Sequence, residues 1–312
     1  MFLKRIFLSA ALALMAGQAE AEDCKLKQLA SLDVIVKDND VLLPVTVGGQ
    51  TGGYFILSFP ALVSGISDAT SDSLHLKRSS ISSQLIVHLD GKSIREHVNV
   101  PIQMGGASGD IAMGVIPQFA PSDKRIIGVI GTDILGRFDV DLDLAHDKVN
   151  LFSPDHCSGQ VVYWTGSGAV AVPMKFRNGQ TFVVPMQLDG QDIDVSLSTG
   201  GYPELSSRVA YDLFNIDEPI PDNGPKPRHR FKTLSVDGLT ITNPEIAIYK
   251  DNSGCNGKYK MKEVPLHTEH AVELMRCFGA PDLLLSLMEL KKLHVYLAFK
   301  ERMLYASGAN AH

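Results

Sequence analysis

The chain carries one supersecondary plan twice. The first copy, around Val41–Ser67, reads Val-Leu-Leu-Pro-Val-Thr-Val-Gly-Gly-Gln and then Tyr-Phe-Ile-Leu-Ser58-Phe59-Pro60-Ala61. The second, around Val183–Ser206, reads Val-Val-Pro-Met-Gln-Leu-Asp-Gly-Gln and then Asp-Val-Ser-Leu-Ser198-Thr199-Gly200-Gly201. A further shared block follows each copy. In the first half it is Gly128-Val-Ile-Gly-Thr-Asp133-Ile-Leu-Gly-Arg-Phe138-Asp-Val-Asp-Leu; in the second it is Phe278-Gly-Ala-Pro-Asp282-Leu-Leu, resuming as Leu293-His-Val-Tyr-Leu-Ala-Phe. A repeat this long demands two copies of one architecture and outranks any single motif.

Short β-branched runs bounded by Gly, Asp or Ser predict strands at Val41–Val47, Tyr54–Leu57, Gln84–Leu89, Val98–Gln103, Phe138–Leu144 and Lys148–Phe152. The second half predicts Val170–Phe176, Phe182–Leu188, Ile193–Leu197, Lys232–Val236, Glu245–Tyr249 and Val295–Phe299 in the same style. Asp90-Gly91, Asp189-Gly190 and Asp237-Gly238 read as tight hairpin turns, because Asp-Gly tolerates the positive φ such turns need. Helices are few: a short one at Ile134–Gly136, a longer one at Leu283–Lys292, and others at Ser206–Leu213 and Glu269–Met275. The linker between halves falls near Ser153–Gly168 and holds the only tryptophan, Trp164, which is expected to pack between lobes. The four prolines of Glu218–Pro227 mark an exposed loop.

The doubled pattern resembles retropepsin-like and pepsin-like aspartic proteases, whose lobes each carry hydrophobic-hydrophobic-Asp-Thr-Gly-Ala. The resemblance implies a mostly β chain of two tandem acid-protease-like β-barrel lobes, related by a pseudo-twofold axis, with few short helices. The N-terminal lobe would span residues 22–157 and the C-terminal lobe 158–312. It also implies a peptide-binding cleft between the lobes, with Ser58, Phe59, Ser198, Thr199 and Gly200 as candidate lining residues.

In that family the chemistry belongs to two carboxylates about 3 Å apart, which cannot both ionise and so share a proton. One activates water and the other polarises the peptide carbonyl. Here Ser58 and Ser198 stand where both aspartates belong. Ser198-Thr199-Gly200 keeps the brace without the carboxylate, whereas Phe59-Pro60 loses the hydroxyl and a backbone N–H as well. A neutral serine neither takes a proton from water nor offers an acidic one, and proton transfer alone contributes on the order of 10²–10⁴ in rate. A serine nucleophile would need a presenting turn such as Gly-x-Ser-x-Gly, and the chain has none. The expectation is a non-catalytic relative that binds a peptide or protein; the alternative is a hydrolase acting through other residues. Asp133 and Asp282 match an aspartate that the family carries after its second block, where a helix cap is the expected role, and Ala280 falls where the first half has Gly131. Asp192 and Asp194 read as solvated strand residues.

The address signals point outward. Lys4 and Arg5, the apolar Ile6–Met15 and Ala19-Glu20-Ala21 together predict a signal peptide over residues 1–21, hence an exported, periplasmic or secreted protein. The apolar run is too short to span a bilayer. Four cysteines in an exported chain predict two disulfides. Cys24 with Cys157 and Cys255 with Cys277 are the expected pairs, the first bracketing one lobe. A formal net charge of −6 gives no electrostatic footprint for nucleic acid. His267, His270 and Glu273 fall on one helical side, lack the His-Glu-x-x-His order and read as a solvated face, so no metal and no cofactor is expected. The basic run Lys226-Pro-Arg228-His229-Arg230-Phe-Lys232 reads as an exposed loop. One chain supplies both lobes, so a monomer suffices.

Overall fold

Alternation decides which strands face a core on one side only. In Glu96–Met104, Val98, Val100, Ile102 and Met104 are buried while Asn99, Pro101 and Gln103 face outward, the period-two signature of a half-covered sheet. In Leu293–Ala298 every residue is buried, so that strand is covered on both faces. The computed structural model describes residues 25–81, 87–89, 92–177, 181–221, 224–250 and 281–311. Its architecture is mostly β, and among the described residues no helix is long and apolar enough to cross a membrane.

Each half builds its own sheet on one plan. In the first, Asp40–Val47 pairs antiparallel with Gln50–Leu57, which lies parallel to Ile126–Ile130 with Leu57 opposite Ile130. Gly65–Ser67 then runs antiparallel to Ile126–Ile130 and parallel to Ala107–Ile116. In the second, Thr181–Leu188 pairs with Gln191–Leu197, which lies parallel to Leu283–Leu285 with Leu197 opposite Leu285. Glu204–Ser206 then takes the place of Gly65–Ser67, antiparallel to Leu283–Leu285 and parallel to Glu245–Tyr249. Gly128 permits this crowding in the first half: a Cβ there would sit 2.3 Å from the Gly65 carbonyl and 2.4 Å from the Phe55 ring. The Asp189-Gly190 and Asp237-Gly238 turns adopt the expected positive φ, 45° and 81° in the first and 46° and 90° in the second.

A third sheet joins the halves. Its order is Gln28–Asp33, Lys148–Phe152, Asp139–Asp143, Leu293–Ala298, Met303–Gly308, Val170–Pro173, three strands from each half. At the seam Val140 faces Leu297, Asp141 faces Tyr296, and Leu142 faces Val295. One apolar core runs through both halves, with Phe55, Ile130 and Leu142 from the first and Phe182, Leu285 and Leu297 from the second. Each such fully buried side chain contributes about 1.5–3 kcal/mol over an exposed one. The linker lies on the joining sheet. Trp164 stacks on His294 at 4.3 Å and donates its indole N–H to Ser307 Oγ at 2.9 Å, so its ring and hydrogen-bond partners there belong to second-half strands of the joining sheet.

Several expectations change. Leu283–Lys292 is not one helix: Leu283–Leu285 is a strand, and only Leu287–Leu290 is helical. The shared block therefore aligns through Leu283-Leu-Leu-Ser286-Leu-Met288-Glu-Leu290, with Ser286 equivalent to Gly131 and Met288 equivalent to Asp133. Asp282 precedes the strand and caps no helix; its carboxylate accepts from the Asp194 amide at 2.8 Å and pairs with Arg208 at 3.1 Å. Asp194 is half-buried and salt-bridged to Arg177, whereas Asp192 is exposed as expected. Val170–Phe176 divides into Val170–Pro173 and Lys175–Arg177, which belong to different sheets. A helix at Asp68–Ser73, capped by Ser67 Oγ accepting from the Thr70 amide at 3.1 Å, was not anticipated. Residues 1–24, Asp90-Gly91, Ala280, Cys255, Cys277, the proposed helix Glu269–Met275 and the His267, His270, Glu273 group all lie outside the described residues. Cys157 is not a free thiol.

Candidate functional site

The strands Gln50–Leu57 and Gln191–Leu197 end at equivalent positions of their sheets, and each delivers a serine. Ser58 donates its amide to the Ile130 carbonyl at 2.9 Å, and Ser198 donates its amide to the Leu285 carbonyl at 2.8 Å. Their equivalence is thus fixed by backbone hydrogen bonds as well as by sequence. Ser58, Ser198 and Gly200 are half-buried; Phe59 and Thr199 are buried, at 4% and 2% exposure. The two buried side chains brace the site and leave its lining to the other three.

The braces cross between the lobes. Thr199 Oγ1 donates to the carbonyl of Leu57, the residue before Ser58. The Gly201 amide donates to the Asn39 carbonyl at 3.0 Å, from a left-handed φ of 59° that suits glycine. Gly200 lies against the same edge: a Cβ on it would stand 3.7 Å from Asn39 O and 3.9 Å from Asp40 Oδ1. Within the turn, the Gly200 amide donates to Ser198 Oγ at 3.3 Å. Phe59, at the position equivalent to Thr199, crosses the other way and meets the Phe182 ring edge-on at 5.8 Å. At these two equivalent positions one interlobe tie is therefore a hydrogen bond and the other an aromatic contact.

Behind the first half's turn is a polar corner that sequence reading missed. Asp133 accepts from the Ser64 amide at 3.0 Å and from Ser64 Oγ at 2.6 Å, while Ser64 Oγ accepts from the Gly131 amide at 2.8 Å. In the second half Pro203 and Met288 occupy the equivalent places, so the corner has no polar counterpart. Ser286, equivalent to Gly131, is fully buried and its hydroxyl has no hydrogen-bond partner. Sequence could have found Ser64 only through the correct register of the second block.

Chemically, the arrangement offers two hydroxyls and backbone groups at a junction between lobes. Among the described residues no group of three or more His, Cys, Asp or Glu side chains could hold a metal ion.

No family model matches the chain, and no curated protein matches it in sequence. Solved structures do match in shape. An aspartic proteinase from Irpex lacteus superposes with a TM-score of 0.54 at 9% identity, over 90% of this chain and 97% of that one. Basic 7S globulin from soybean gives 0.52 at 8% identity over 92% and 96%, and conglutin gamma, a basic 7S globulin from lupine seeds, gives 0.51 at 8% over 91% and 95%. At these identities the likeness establishes the fold, an aspartic-proteinase-like one, and nothing finer.

Proposed function

We propose that this is an exported protein of aspartic-proteinase-like fold that has no ordinary aspartic protease activity and binds a peptide or protein segment in the cleft between its lobes. One observation carries the reading: both equivalent positions hold a hydroxyl where a carboxylate is required, while the interlobe tie from Thr199 to Leu57 is kept. Loss of chemistry with retention of the frame is what a binding role would leave. The fold does not fix the activity; two structures that share it are named as globulins and one as a proteinase. The address signals at residues 1–21 support export, and a Cys24–Cys157 disulfide would suit an oxidising compartment.

The test uses the purified mature protein on denatured protein and mixed peptides from about pH 3 to about pH 8, the range over which carboxylate catalysis would operate. Wild type is expected to bind peptides without cleaving them, and pepstatin is expected to bind weakly or not at all. The variant Ser58→Asp/Ser198→Asp restores the carboxylates and serves as comparison. Wild-type cleavage that survives Ser198→Ala would sink the proposal and establish a hydrolase acting through other residues.

A further inference from the structure

A concavity lies on the lobe junction, and neither Ser58 nor Ser198 is among its lining residues. It has a volume of about 670 Å³, within the roughly 300–1,000 Å³ typical of ligand sites. The first lobe contributes the helix Thr132–Leu135 and the residues just after it; the second contributes the turn between Leu293–Ala298 and Met303–Gly308. Its apolar lining includes Leu62, Phe176 and Phe299, and its cations are Arg137, Lys300 and Arg302.

Three cations meet one lining carboxylate, Asp133, in a chain whose formal net charge is −6. That carboxylate is already engaged by the Ser64 amide and hydroxyl and by the Ile134 amide, so it competes weakly for the cations. Arg137 is anchored through its Nε, which donates to the Asp133 carbonyl at 3.1 Å. The Arg302 guanidinium stands 5.6 Å from the Phe176 ring centroid. Lys300 bonds Asp155 at 2.8 Å, but both groups are well exposed, and an exposed pair of this kind is worth little and exchanges readily. The pattern is an apolar aromatic floor with guanidinium and ammonium groups at its rim.

We propose that this groove binds an extended acidic peptide segment. In an extended strand alternate side chains point to opposite faces. Apolar side chains would enter against Phe176 and Phe299 while intervening carboxylates meet Arg137 and Arg302, whose planar forks match a carboxylate in two hydrogen bonds. Nucleic acid is disfavoured by the formal net charge of −6 on the whole chain. The floor is also continuous with the paired-serine site: Phe299 and Phe176 pack on Phe182 at 5.7 and 6.4 Å, and Phe182 packs on Phe59 at 5.8 Å. The assignment stands apart from the role proposed for the cleft.

The experiment is fluorescence anisotropy with a labelled peptide of alternating glutamate and leucine or phenylalanine, read beside its glutamine counterpart, at low and high salt. The acidic peptide is expected to bind, to weaken with salt, and to bind about tenfold better than the glutamine form. Arg137→Glu/Arg302→Glu is expected to lower its affinity about tenfold or more, with the fold checked by circular dichroism. Lys300→Ala, at an exposed position, is expected to weaken it about two- to threefold. Ser58→Asp/Ser198→Asp is expected to leave it unchanged. Equal affinity for both peptides, or affinity indifferent to the Arg and Lys variants, overturns the proposal. Affinity lost in the serine variant and kept in the arginine variant assigns the acidic peptide to the cleft, overturning this site while supporting the other.

Discussion

Thr199 and Phe59 occupy equivalent positions, yet one donates a hydroxyl to the Leu57 carbonyl and the other presses a ring on Phe182. The hydrogen bond is buried, so deleting the donor leaves a carbonyl without water or partner. Such an orphaned group costs about 1–3 kcal/mol. Thr199→Val, which keeps the shape, is therefore expected to lower urea-unfolding stability by about 1–3 kcal/mol, while Thr199→Ser, which keeps the donor, recovers most of it. A Thr199→Val protein as stable as wild type would show that the lobes do not depend on this tie. Phe59→Ala should cost more, about 3–5 kcal/mol, because it opens a cavity against Phe182. The paired serines were readable from sequence because a motif is defined by what precedes and follows it. The structural work of Phe59 was not, since its partner lies more than a hundred residues away and nothing local announces it.

The second shared block shows where element-scale reading fails. Leu283–Leu290 is apolar at six of eight positions, and such a run does not distinguish a strand from a helix by periodicity. Asp282 beside a glycine-containing stretch then attracted the alignment that Asp133 seemed to demand. Hydrogen bonding settles the register instead: Leu197 faces Leu285 as Leu57 faces Ile130. The defects of the two halves are consequently complementary. The first half loses the Thr-Gly brace after Ser58 but keeps Gly131, Asp133 and Ser64, while the second keeps Thr199-Gly200 and has Ser286, Met288 and Pro203 instead. A double-mutant cycle on Ser64→Ala and Asp133→Asn is expected to give a coupling of about 0.5–3 kcal/mol, because one carboxylate takes two bonds from one residue. The equivalent cycle on Pro203→Ala and Met288→Ala should give a coupling near zero. Zero coupling in the first half would mean that the polar corner is incidental to the packing around it.

At the scale of the whole molecule the pseudo-twofold axis passes between Asp141 and Tyr296, because Val140 pairs with Leu297 while Leu142 pairs with Val295. Two polar bonds cross that seam as counterparts: His294 Nε2 to Asp141 Oδ1 at 2.6 Å, and the Tyr296 hydroxyl to Asp139 Oδ2 at 3.3 Å. The predicted strand through Asp139-Val-Asp-Leu alternates carboxylates with apolar residues. In the structure both aspartates are fully buried, because the linker covers that face: Tyr163 donates to Asp141 at 2.7 Å, and His156 pairs with Asp139. Alternation records which residues share a face, and only tertiary structure says whether that face is wet.

This burial makes stability depend on pH in a definite direction. The His156 side chain is 1% exposed, with Nε2 on Asp139 and Nδ1 facing the Cys157 carbonyl at 3.1 Å and Glu301 at 3.2 Å, so both ring nitrogens meet acceptors. Burial opposes its charge, but the Cys157 carbonyl and the two carboxylates outweigh burial and raise its pKa above the usual imidazole value. Burial likewise raises the Asp139 carboxyl, despite its bonds from His156 and Tyr296. Tyr305, which bonds Glu301, is pushed upward by burial and ionises well above this range. A raised pKa means that the folded state holds the proton more tightly, so the contribution is complete below the unfolded value, about 6.5 for histidine, and is lost as pH rises through the folded one. Both shifts have this sign. Asp123, lowered mainly by its hydrogen bond to Arg125, and Asp155, lowered by Lys300, have the opposite sign, but their contributions are already complete above about pH 5 and add no slope here. Stability should therefore fall as pH rises from about 6 into the alkaline range, measured as denaturant midpoints at fixed salt. His156→Gln, which can still donate one bond, is expected to be less stable at the acidic end and to show a flatter profile. A wild-type profile that rises across this window, or a variant with the same slope, would show that the buried pair does not control the junction.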